Sequence, residues 1–320
     1  MAATLLARAN IAPARKLRHL RRPATGWAPP SLGLVTLEPA PTAPSDERPL
    51  GMFDSGFGGL TVARAVMDLL PDEHLVYVGD TGRYPYGPRP QEEVRGFAHQ
   101  ITRHLVEDEG VKLVVVACNT ATAAAGLKEL EDTAGVPVVG VIDPGARSLA
   151  AATRSGRVGV IGTVGTISSG AYQRAVAEAA VMAGRPVELT CAACPGFVEF
   201  VERGDTGSDQ VHVLAERLLA PVRDAQVDTL LLGCTHYPFL ARTIGDVMGR
   251  DVVLVSSADE TAFEVRALLG GTDGVAPRRP GPGGAPARRR FGSSGDVDWF
   301  RELGARLLGP EVAVVERAPW

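Results

Sequence analysis

Two segments of this 320-residue chain share one design. Leu113–Thr120 (LVVVACNT) and Thr229–His236 (TLLLGCTH) each run an apolar strand into a small residue, then a cysteine, then hydroxyl, amide or imidazole groups. A helix-like stretch follows each. Cys118 and Cys234 stand 116 residues apart, and VVGVIDPG at Val138 and VVLVSSAD at Val252 stand 114 apart. GMFDSGFGGL at Gly51 aligns with VGVIGTVGTI at Val158 as strand, turn and helix start. Nearly equal offsets predict two related lobes from an internal repeat. Ligands of open α/β sheets bind beyond the carboxyl ends of the strands, so both thiols are expected to point into a cleft between the lobes.

Short apolar strands alternate with helical patterns from Leu50 onward. Strands are expected at Leu50–Phe53, Leu75–Val78, Leu113–Ala117, Val136–Ile142, Val158–Ile161, Val187–Thr190, Thr229–Leu232 and Val252–Val255. Helices are expected over Leu60–Leu70, Gln91–Glu109, Ala121–Thr133, Gly170–Ala183, Gln210–Ala225 and Val297–Leu308, with a further strand at Val312–Val315. This order predicts an α/β fold of two pseudo-symmetric, doubly wound lobes with parallel sheets. The first lobe is expected to hold residues 49–145 and 256–320, the second 146–255. Residues 1–48 carry Arg8, Arg15, Lys16, Arg18, Arg21 and Arg22 with no acid before Glu38, and end in a proline-rich linker. They are expected to be a disordered extension rather than a transit peptide. Residues 270–290, with PRRPGPGGAPARRR, read as a flexible insertion loop.

Composition narrows the chemistry. A net charge of -4 gives no general reason to expect nucleic acid or an anionic membrane as partner. No apolar run reaches the ~18 residues of a membrane-spanning helix. Four cysteines, Cys118, Cys191, Cys194 and Cys234, are too few for a disulfide scaffold and fit a reducing cytoplasm. The only lysines are Lys16, Lys112 and Lys128. None is placed to carry the Schiff base of a pyridoxal phosphate enzyme.

FDSGFGG (Phe53–Gly59) is a glycine-rich turn between strand and helix, but it matches neither nucleotide-binding pattern. Asp54 would repel phosphate, so the turn better suits a small carboxylate or ammonium ligand, with Ser55 as donor; Asp54 as a plain helix cap is the structural alternative. YVGDTGRYPYGPRP places Asp80 at a strand end before a proline- and tyrosine-rich loop. That loop is either a rigid turn or a site wall offering donors near Tyr86 and Gly87. Cys191 and Cys194 have CxxC spacing, yet no second knuckle exists to complete a zinc site. A free cysteine is often a small buried hydrophobe. Two at equivalent strand ends, each beside polar groups, fit acid–base work better. At a helix N-terminus the thiol pKa is expected to fall from about 8.5 toward neutrality. Two such thiols across a cleft can take a proton from one face of a carbon and return it to the other, with no cofactor. His236, two residues after Cys234, is placed to tune that thiol or a substrate carboxylate.

In order, the chain carries FDSGFGGL, YVGDTGRYPYG, ACNTATA, VIDPG, IGTVGTISSGAY, CPGFVEFVERG and LGCTHYPFL. Over residues 50–320 it resembles the cofactor-independent aspartate/glutamate racemase superfamily, and within it the glutamate racemases. The resemblance implies two α/β lobes, an active site between them and racemisation of glutamate by Cys118 and Cys234. It implies roles for Asp54 beside the first cysteine, His236 beside the second, Glu202 behind His236, and Asp80 as a further carboxylate. Ser55, Tyr86, Gly87, Asn119, Thr120, Thr163, Thr166 and Thr235 match substrate-contacting positions. The chain departs from the pattern at Asp143, Glu199 and Phe200. It also implies a homodimer without cofactor or metal, D-glutamate supply for peptidoglycan, and, by family analogy alone, contact with DNA gyrase. The alternatives are racemisation of aspartate or another amino acid, or a binding protein on the same fold. A decarboxylase of the superfamily would need only one cysteine.

Overall fold

The computed structural model describes residues 45–270, 275–281 and 283–320. The chain runs β1 (Leu50–Asp54), α1 (Leu60–Leu69), β2 (Leu75–Gly79), α2 (Gln91–Glu107), β3 (Leu113–Val116), α3 (Asn119–Ala125), α4 (Leu127–Ala134), β4 (Val138–Gly140) and α5 (Ile142–Ala152). It continues with β5 (Arg157–Gly162), α6 (Val164–Ser168), α7 (Ala171–Met182), β6 (Glu188–Ala193), α8 (Phe197–Glu202), α9 (Asp209–Asp224), β7 (Thr229–Gly233), α10 (Ala241–Met248) and β8 (Val253–Ser256). It closes with α11 (Ser257–Gly270), β9 (Arg289–Ser293), α12 (Val297–Leu308) and β10 (Val315–Arg317).

The strands form two parallel sheets, ordered β10-β9-β2-β1-β3-β4 and β6-β5-β7-β8. The second repeats the 2-1-3-4 order within the first, so the offset of 116 residues seen between the cysteines is an offset of one whole sheet motif. Both are covered on two faces, as parallel sheets require. In β3, Leu113 and Val115 pack toward α1, while Val114 and Val116 face Val94, Ala98 and Ile101 of α2. Successive side chains of a strand point to opposite faces, so an unbroken apolar run is what a strand buried on both sides needs. Among the described residues, no helix is long and apolar enough to cross a membrane.

Several expectations need correction. The Val136–Ile142 run yields only the three-residue β4, because Ile142 opens α5. Ile142, Ala146 and Leu149 pack with Val158, Val160, Tyr172 and Leu231, so the second core draws in residues before 146. The helix expected over Ala121–Thr133 divides at Gly126, whose φ of 65° is left-handed and easy only for glycine. The strand expected at Val312–Val315 shifts: Gly309–Val312 is a 3₁₀ turn and β10 begins at Val315.

The insertion and the linker are also more ordered than composition implies. Arg289 and Arg290 open β9, which pairs with β2. Arg278 is buried, its backbone N–H donating to Glu73 and its guanidinium to Glu47, the Asp72 carbonyl and the Ala285 carbonyl. Lys112 Nζ donates to the carbonyls of Asp46 and Ala276 at 2.8 and 3.1 Å and pairs with Glu73 at 2.7 Å. One buried cation thus ties the end of the linker and the insertion to the first sheet. The remainder of the expected extension, residues 1–44, and positions 271–274 and 282 of the insertion lie outside the described residues.

Candidate active site

Both cysteines, and the turn after β1, reach one cavity at the carboxyl ends of the two sheets. It is nearly closed, with a volume of about 30 Å³, and it is lined by Ser55, Tyr84–Gly87, Cys118–Thr120, Thr163, Val198 and Cys234–His236. Gly58 makes room for this meeting, and Gly59 lets the turn close on its own strand. A Cβ at Gly58 would lie 2.4 Å from both His236 Nδ1 and Thr235 Oγ1. One at Gly59 would lie 2.6 Å from Asp54 Cβ. The glycine-rich turn therefore serves close approach between halves of the molecule rather than phosphate binding.

Cys118 caps α3: its Sγ accepts the Ala121 amide at 3.5 Å and lies 3.7 Å from Ser55 Oγ. Cys234 follows β7 and leads into the 3₁₀ turn Tyr237–Leu240 instead of an α-helix. Its Sγ lies 4.0 Å from His236 Nδ1. His236 Nε2 faces Glu202 Oε1, on α8, at 3.5 Å, and neither atom has a hydrogen-bond partner elsewhere among the described residues. Phe57 holds the imidazole edge-on at 4.8 Å between ring centres.

Ten of the residues singled out by sequence line the cavity: Ser55, Tyr86, Gly87, Cys118, Asn119, Thr120, Thr163, Cys234, Thr235 and His236. Asp54, Asp80, Glu202 and Thr166 do not, and each stands behind one that does. Asp54 is fully buried, accepting the Gly56 amide at 2.8 Å and the Thr235 hydroxyl at 3.2 Å, so it fastens the two turns together. Asp80 accepts from Arg83 Nε at 2.7 Å, Ser294 at 2.6 Å, the Trp320 indole at 3.0 Å and the Tyr86 hydroxyl. Thr166 shares its hydroxyl with Thr120 at 3.1 Å and Thr163 at 2.9 Å. Sequence reasoning missed Tyr84, Pro85 and Val198 as lining residues. The first two lie in the loop it had marked as a wall, and Val198 in the CPGFVEFVERG segment.

The thiol pKa expectation is overturned for the free protein. Burial pushes Cys118 up to about 12, and Asp54 adds to the rise; the Ala121 amide and Ser55 only partly oppose it. Burial likewise holds Cys234 well above its ordinary range, against the His236 backbone amide. α3 is seven residues long and Cys234 has no α-helix directly behind it, so the dipole is weak where desolvation is strong. Burial also raises Asp54, with His236 the largest opposing influence. Cys191 and Cys194 rise to about 11 and about 12 by burial. Among the described residues, no group of three or more His, Cys, Asp or Glu side chains is arranged to hold a metal.

Comparison with known proteins agrees with this geometry. Residues 60–264 match the family described as Asp/Glu/Hydantoin racemase. The glutamate racemase of Mycolicibacterium paratuberculosis is 54% identical over 267 residues, covering 83% of this chain and 94% of its own. Among solved structures, a glutamate racemase isoform of Bacillus anthracis superposes with a TM-score of 0.75 at 39% identity, over 84% of this chain and 96% of its own. The Francisella tularensis glutamate racemase in complex with D-glutamate gives a TM-score of 0.76 at 30% identity, over 85% of this chain and 97% of its own. By the family match and by this identity over most of both chains, this chain belongs to the glutamate racemases of the Asp/Glu/hydantoin racemase family.

Proposed function

We propose that this chain interconverts L- and D-glutamate by direct proton transfer between Cys118 and Cys234. The observation that carries the reading is that these two thiols, from corresponding strand ends, line one cavity. One thiolate takes the α-proton, breaking C–H and forming S–H. The opposite thiol gives its proton to the other face, and the two sulfurs exchange protonation states. The α-carbon is a weak acid, so developing negative charge on the carboxylate needs donors. Asn119, Thr120 and Thr235 supply them in a dry site.

The raised thiol pKa values set a requirement. Both sulfurs are protonated at neutral pH in the empty cleft, so ligand binding must assist the loss of one proton. A substrate ammonium placed near buried Asp54 and the first thiol would do so, since an opposite charge favours the thiolate. His236, backed by Glu202, is placed to take the proton of Cys234. Asp80 acts on the cavity through Tyr86. The lining cysteines, Asn119, Thr120, Thr235 and His236 are all at most 7% exposed, so glutamate enters only if the two halves part and then close.

D-Glutamate made this way would enter peptidoglycan, with the protein acting in the cytoplasm as a homodimer. The test is circular dichroism of L-glutamate with the purified full chain, without pyridoxal phosphate or metal, beside L-aspartate. Decay of the glutamate signal to zero with aspartate unchanged supports the reading. A constant glutamate signal with folded, reduced protein rejects it.

A further inference from the structure

Tyr172 touches both thiol-bearing turns. It sits on α7, fully buried, and its hydroxyl lies 2.5 Å from Asn119 Oδ1, the residue directly after Cys118. Its ring packs over Gly233, directly before Cys234: a Cβ there would lie 2.8 Å from Tyr172 Cε2. Asn119 lines the cavity, and its Nδ2 is buried without a hydrogen-bond partner.

Which way the Asn119 amide faces follows from matching donors with acceptors. A phenol carries one. Donated to Oδ1, that proton is satisfied and Nδ2 remains a free donor. With the amide turned over, Nδ2 would donate to the phenol oxygen, and the phenol proton would have no acceptor. The Tyr172 hydroxyl makes no other hydrogen bond among the described residues. Either way two polar hydrogens stay unpaired in the empty cleft, but the first arrangement satisfies the amide oxygen, a stronger acceptor than a phenol, and leaves both free hydrogens on Nδ2, where one ligand carboxylate can accept them. Burial keeps the phenol protonated and able to donate.

We infer that Tyr172 is a positioning residue that locks the Asn119 amide with Nδ2 presented to the cleft as a fixed donor for a ligand carboxylate. The inference rests on the reading of this cleft as the glutamate site. One side chain thereby sets a binding group on the Cys118 side while its ring braces the turn that carries Cys234.

The test uses Tyr172→Phe, Asn119→Ala and the double variant in the full chain. Binding of racemic glutamate, which undergoes no net conversion, is read by calorimetry, and turnover is read separately. Tyr172→Phe is expected to raise Kd and KM about tenfold while kcat falls by less than about threefold. Asn119→Ala should show a similar rise, and the double variant should be no worse than Asn119→Ala alone. An unchanged KM in Tyr172→Phe, or losses that multiply in the double variant, would overturn the inference. Should these variants fail to fold, Asn119→Asp decides: it still accepts the phenol proton but replaces the donor with an anionic oxygen. Its affinity for glutamate should fall by more than about a hundredfold, and near-normal binding would overturn the inference. A wild-type protein that binds racemic glutamate without interconverting it overturns the racemase reading and leaves this inference standing. One that binds none overturns both.

Discussion

Cys118 and Cys234 end corresponding strands, β3 and β7, yet their surroundings differ in kind. Cys118 caps a helix and lies beside a serine, with a buried carboxylate behind it. Cys234 precedes a 3₁₀ turn and lies beside an imidazole that faces a second carboxylate. The repeated sheet order brings two thiols to one space, and under the proposed mechanism the unequal neighbours would give each a different route to lose its proton. A two-faced proton transfer needs the symmetry of position. It does not need symmetry of environment, because substrate itself is asymmetric about the α-carbon.

The strongest way to break this comparison is to remove either thiol. Cys118→Ala or Cys234→Ala should each lower kcat/KM at least about a thousandfold, measured by circular dichroism of either enantiomer. Substantial activity left in one of them would show that a single thiol suffices. His236→Asn sharpens the contrast. It should lower kcat/KM about a hundredfold. Enantiomers have equal free energy, so kcat/KM must stay equal in both directions, and the asymmetry must show elsewhere. The α-deuterium isotope effect on kcat/KM should grow for the enantiomer whose proton goes to Cys234 and shrink for the other. Equal changes in both directions would contradict distinct roles for the two cysteines.

A second pair of corresponding positions lies at the opposite ends of the same strands. Lys112 precedes β3 and Asp228 precedes β7. Lys112 is fully buried against Glu73, whereas Asp228 is half-buried and accepts from Thr153 at 2.5 Å and from the amides of Arg154 and Ser155. Lys112→Met leaves Glu73 unpaired and should cost about 3–5 kcal/mol in urea unfolding. Asp228→Asn should cost only about 1–2 kcal/mol. The reverse order would contradict the assignment of the buried pair as the stronger fastening.

The smallest effect concerns pH. Cys118 has a folded pKa raised from its ordinary value to about 12. A raised folded pKa gives stability that is complete below the unfolded value and is lost as pH rises through the folded one. The melting temperature should therefore fall as pH rises from about 8.5 upward, and less so in Cys118→Ala. Thiolate absorbance in the free protein should likewise rise only well above pH 8.5; a plateau near that pH would contradict burial as the dominant influence.

The sequence was most legible where a pattern has only one physical solution. Runs such as LVVV and TLLL must be strands buried on both faces, and their shared spacing located both cysteines. Boundaries failed where one residue decides: Gly126 divides a helix that apolar spacing reads as continuous. The strand β9 was hidden because Arg289 and Arg290 look like loop, yet their backbones pair with β2. Of the cleft, the motif residues were legible, but Val198 and Tyr84 line it only because α8 and the tyrosine loop fold over it. The direction of the thiol pKa shift was illegible, since burial depends on the closed packing of both halves and not on the local helix start.

The most direct test of the two-thiol account is L-glutamate in deuterium oxide, with product and remaining substrate separated by enantiomer early in the reaction and read by proton NMR. The account predicts deuterium at the α-carbon of D-glutamate while the remaining L-glutamate stays unlabelled, because the thiol that takes the proton is not the one that gives the new one. D-Glutamate that retains the original proton, or L-glutamate labelled as fast as product forms, would contradict it.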